Sequence, residues 1–87
     1  LENKIKEYVI DNLENFHDLT KPYREQKRKL LSLDPLFKEE INQQFDDKIK
    51  FMVSLEITRD TGCSYEDALI FIEEINIIEL LSDEECV

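Results

Sequence analysis

Glycine occurs once in this chain of 87 residues, proline twice and tryptophan not at all, and there are only two cysteines and one histidine. Each scarcity excludes something. Without Asn-Gly or Asp-Gly pairs there is no signal for tight β-hairpins, and a chain so poor in Gly and Pro, with 37% charged residues, reads as helix. Cys63 and Cys86 with His17 form no C-x-x-C pair or clustered ligand set, so no metal site and no cofactor are expected. Both thiols are expected to be free. No apolar run reaches membrane length and no leader peptide is recognisable, which points to a cytoplasmic protein with no membrane partner. Phosphate-cradling Gly loops are missing, and the carboxylates are not set apart in pairs by apolar surroundings. No enzymatic role is expected.

Positive charge is nearly missing from one half. Residues 1–53 carry ten Lys/Arg against eleven Asp/Glu, whereas 54–87 carry Arg59 against ten Asp/Glu. The net charge of −10 therefore belongs almost wholly to the second half. Such a segment repels phosphates and anionic lipid, so direct nucleic-acid binding through it is disfavoured. It would attract a basic protein surface, or serve solubility alone.

The periodicity predicts an all-α single domain of four to five helices. A first helix is expected over Glu2–His17, with Ile5, Val9, Leu13 and Phe16 along one face and His17 at its end. A second is expected with Thr20 as its cap and Pro22 in its first turn, stopping near Leu33. Lys21, Arg24, Lys27, Arg28 and Lys29 make residues 21–29 the basic part of the molecule. That segment could pair with the acidic half, stay solvated, or meet an acidic partner or phosphates. A long central helix should begin at Asp34-Pro35 and run to about Thr61. Phe37, Ile41, Phe45, Ile49 and Met52 would form its inner stripe, with Leu36, Phe51, Val53, Leu55 and Ile57 widening it. Its length of roughly 40 Å would exceed the expected domain diameter, so a kink is expected near Val53–Glu56.

The acidic half reads as a helix-corner-helix. Gly62 can close the long helix in the left-handed conformation, and Ser64 with Asp67 reads as a capping box. Ten of the fourteen positions from Ala68 to Leu81 are apolar. Ala68, Phe71, Ile72 and Ile75 lie within about 60° of one direction at 100° per residue, an ordinary core face. A break is expected at Asn76, because an unbroken helix would drive Glu79 into that face. Ile77, Ile78, Leu80 and Leu81 then form a short last segment, and Ile70 sits alone on the outer face among Glu66, Glu73 and Glu74. This apolar surplus either closes the core or, rimmed by acid, offers a docking surface. Ile70, Glu74, Ile77, Ile78, Leu80 and Leu81 are the candidate partner-binding residues.

The run Thr61-Gly62-Cys63-Ser64-Tyr65-Glu66-Asp67-Ala68, then Glu74-Ile75-Asn76, then Ile78-Glu79, resembles the late-promoter transcription accessory proteins (late co-activators) of large tailed phages. The resemblance covers about residues 55–82. It implies a non-enzymatic adaptor that binds host RNA polymerase at the β-subunit flap and links it to the phage sliding clamp without binding DNA strongly. The family's clamp contact mixes acidic and bulky apolar residues in a C-terminal tail. Here Asp83-Glu84-Glu85-Cys86-Val87 has the acids with Val87 as its apolar anchor, so the resemblance speaks for polymerase more than for the clamp. The Gly-x-Ser-x-Glu-x-Ala pattern at a corner is similar also to ubiquitin-associated three-helix modules, although the last segment is short for that fold. A third reading is a small acidic phage inhibitor whose carboxylates imitate nucleic-acid phosphates.

Overall fold

The computed structural model describes residues 2–81; residues 1 and 82–87 lie outside it, and with them the acidic tail Asp83–Val87. The described chain is all-α, with five helices and, among the described residues, no strand. They are α1 (Glu2–Asp11), α2 (Leu13–Leu33), α3 (Lys38–Thr61), α4 (Tyr65–Glu74) and α5 (Ile77–Leu80), with a 3-10 turn at Pro35–Phe37. None of them is long and apolar enough to cross a membrane.

The first divide falls earlier than the sequence suggests. Helix α1 stops at Asp11, and α2 starts at Leu13 and runs through Pro22 to Leu33. Asn12 makes the interruption. Its side-chain amide donates to the Tyr8 carbonyl at 2.8 Å, competing with the helical backbone as short polar side chains do. Beyond it Ile5, Val9 and Phe16 are buried as the stripe requires, and Leu13 packs at the core's edge.

Thr20 is not a cap and Pro22 does not begin a helix. Proline in a helix interior removes one hydrogen bond and crowds the carbonyl four residues back. Here side chains take over nearby carbonyls: Thr20 Oγ1 donates to Phe16 O at 2.8 Å, and the Arg24 guanidinium donates to His17 O and, at 3.2 Å, to Thr20 Oγ1. Both Thr20 and Arg24 are buried beside Phe16, so the face they share with the core holds the helix through its weak point. His17 is accordingly inside a helix and half-buried, not at an end.

Asp34 N–H closes α2 on Leu30 O at 2.8 Å, and Pro35 opens the 3-10 turn. No capping bond comes from the Asp34 side chain, so α3 begins only at Lys38. Helix α3 is then continuous for 24 residues, so of the kink or break expected near Val53–Glu56 no break occurs. The molecule accommodates the helix by being elongated, 42 × 24 × 18 Å.

Along α3 the buried apolar residues are Ile41, Phe45, Ile49, Val53 and Ile57, every fourth position, with Ser54 buried beside Val53. Four residues turn 400°, so each step advances the row by about 40° and the whole row by about 160°. The buried face therefore winds round α3, and different neighbours meet different stretches of it. Helices α1, α2, α4 and α5 all pack on α3, whereas α2 does not touch α4 or α5. This winding corrects the expected stripe. Phe37, Leu36, Phe51 and Leu55 are exposed, and Met52 is half-buried.

The second half follows the sequence closely. Gly62 takes φ 79° and sends its N–H to Thr58 O at 3.0 Å, and Ser64 Oγ accepts the Asp67 N–H at 3.1 Å. Asn76 has φ 55°, the left-handed break that separates α4 from α5. Cys63, Ala68, Ile72, Ile77 and Leu81 complete one core with Ile5, Val9, Phe16, Ile49, Val53 and Ile57.

A polar link ties α1 to the end of α3. The Tyr8 hydroxyl donates to Asp60, which also receives Arg59 Nε at 3.2 Å. Burial raises the Tyr8 phenol above its ordinary value, and the bond to Asp60 and that residue's charge raise it further. The same bond, with Arg59 beside it, holds the Asp60 carboxyl below the ordinary carboxylate value. The signs follow from proton linkage. Tyr8's contribution is complete below its unfolded value of about 10 and is lost as pH rises towards the higher folded value. Asp60's contribution is complete above about 3.9 and is lost as pH falls through the lowered folded value.

Two outcomes are expected. Tyr8→Phe lowers the urea midpoint at pH 7 and removes part of the alkaline loss of stability above about pH 10, measured by circular dichroism across pH. Pro22→Ala returns an N–H to the α2 ladder and raises stability by about 1–3 kcal/mol in the same unfolding assay.

Candidate protein-docking surface

The corner geometry decides which apolar residues of the acidic half reach solvent. Ala68 and Ile72, one turn apart on α4, are buried, with Leu69, Phe71 and Ile75 packed against the core at their flanks. Ile70 is two positions from each, about 200° round the helix, and so points away. It is 55% exposed, with Glu66, Glu73 and Glu74 one turn before and after it, all exposed. The left-handed Asn76 then resets the chain direction, and its side-chain amide donates to Glu79 Oε2 at 2.7 Å. Glu79 is thereby kept at the surface.

Ile77 of α5 and Leu81, the residue that ends it, lie four positions apart and enter the core, each 1% exposed. Those two candidates are corrected: they close the core of the single chain and offer nothing to a partner. A four-residue helix has one face to bury, and this pair fills it against α3 and α4. Leu80 is 53% exposed, Ile78 is half-buried against the core, and Glu74 is exposed. Of the six candidates, Ile70, Glu74 and Leu80 stand at the surface, with Ile78 at its margin.

Residues 65–81 carry five carboxylates and no Lys or Arg. One of the five, Glu73, meets Lys50 of α3 at 3.5 Å. Just before the corner, Arg59 is engaged with Glu56 and Asp60. The basic segment lies elsewhere. Lys27 bonds Asp46 of α3 at 2.7 Å, Arg24 is buried within α2, and Lys48 stands 5.6 Å from the centre of the Tyr23 ring. Within the described residues Lys27 of this segment thus pairs with α3, an internal partner, and the acidic tail 83–87 lies outside them. Among the described residues no group of three or more His, Cys, Asp or Glu could hold a metal ion.

Other exposed apolar residues, Leu33 apart, were assigned to the core by their spacing. Leu33, Leu36 and Phe37, at the turn between α2 and α3, are 72%, 92% and 56% exposed. Phe51 and Leu55 are exposed on α3, with the Tyr65 ring 5.9 Å from that of Phe51. Signals for both exist in the chain. The break at Asp34-Pro35 places 36 and 37 in a turn rather than on a helix face. Phe51 and Leu55 stand in a row with Asp47 and Arg59, and charged ends mark an outward row.

Comparison with protein families, with curated proteins and with solved structures finds no match to this chain.

Substitutions separate the two classes of candidate. Ile70→Asp and Leu80→Asp are each expected to change unfolding free energy by no more than about 0.5 kcal/mol. Ile77→Asp and Leu81→Asp, which bury an unpaired charge, are expected to abolish the cooperative thermal transition.

Proposed function

We propose that the chain is a non-enzymatic protein-binding adaptor, a transcription accessory factor of phage type that docks on bacterial RNA polymerase. The observation that carries the reading is Ile70. It is a large apolar side chain held out from a rigid helix, with glutamates on the turns either side and no positive charge on its own helix. An apolar contact rimmed by one sign of charge suits a surface that is apolar at its centre and basic around it, and the charge speeds encounter with it. Leu80, with Ile78 at its margin, adds apolar area from α5.

Polymerase is named through the resemblance of residues 61–79 to the late co-activators. Further support is that the positions carrying the resemblance have local conformational duties here. Gly62 closes α3, Ser64 caps α4, and Asn76 breaks the chain before Ile78-Glu79. A partner would therefore meet a preformed corner rather than a segment that must order on binding. The clamp contact falls on residues outside the described chain and is not part of the proposal. Helix α5, at four residues, is short for the third helix of a ubiquitin-associated module.

The test is co-purification. Tagged protein is expected to retain RNA polymerase core from a bacterial lysate, and Ile70→Asp plus Leu80→Asp to lose it with helical circular dichroism unchanged. Retention of polymerase by that folded double variant would remove the surface from consideration. Binding that weakens steeply with salt and competes with DNA would favour the acidic inhibitor instead.

A further inference from the structure

We draw no further inference here: the strongest candidate, the exposed apolar patch where Phe51 and Leu55 of α3 lie beside the Tyr65 ring of α4, is edged by Asp47 and Arg59 of opposite charge, and nothing in the structure shows what covers it.

Discussion

Every helix of this protein depends on the row of side chains that α3 buries at each fourth residue from Ile41 to Ile57. Because that row winds about its own helix, α3 presents its apolar face in successive directions. It can therefore meet α2, α1, α4 and α5. A straight stripe would have produced a flat two-layer packing with one covered side. The winding row makes α3 an axle that all the other helices pack on, with smaller contacts among α1, α2, α4 and α5 completing the core. The wide reach of α3 is also why so short a chain can be 42 Å long and still keep one core.

That arrangement explains which features were legible in the sequence. The corner at Gly62-Cys63-Ser64 and the break at Asn76 were readable because each rests on one residue's backbone preference, which tertiary packing did not have to supply. Ile5, Val9, Phe16, Ala68 and Ile72 were readable as buried because each keeps the three- or four-residue spacing of one helical face over a short stretch. The α3 residues Phe51 and Leu55 were misplaced because a fixed stripe was assumed where the face drifts by about 40° per turn. Pro22 misled for a different reason. Its helix continues past the proline with Thr20 and Arg24, both buried, hydrogen-bonded to Phe16 O and His17 O. Asn12 and Thr20 both carry helix-start chemistry, and only the packed chain shows that the former makes the division.

For the candidate surface, the count of apolar residues after Asn76 was the visible signal, and it overstated what is available. Ile77 and Leu81 belong to the core by the four-residue spacing that any helix uses to bury one face. What distinguishes Ile70 is its neighbours: glutamates before and after it on the same face leave no apolar element to cover it. The acidic character of this half and its single exposed isoleucine therefore belong to one physical statement, a helix with a covered side and a charged side interrupted once. The basic segment has its own internal duties, with Arg24 supporting the helix around Pro22 and Lys27 joining α2 to α3.

The uneven covering of α3 also bears on how the molecule opens. Ile49, Val53 and Ile57 belong to the core shared by all five helices, whereas Ile41 and Phe45 are buried outside it. Local opening is cheapest where fewest apolar contacts must be broken. Backbone amides around residues 28–44 should consequently trade their hydrogens with solvent long before those of the α3–α4 junction, so that one continuous helix would report two different protection levels along its length.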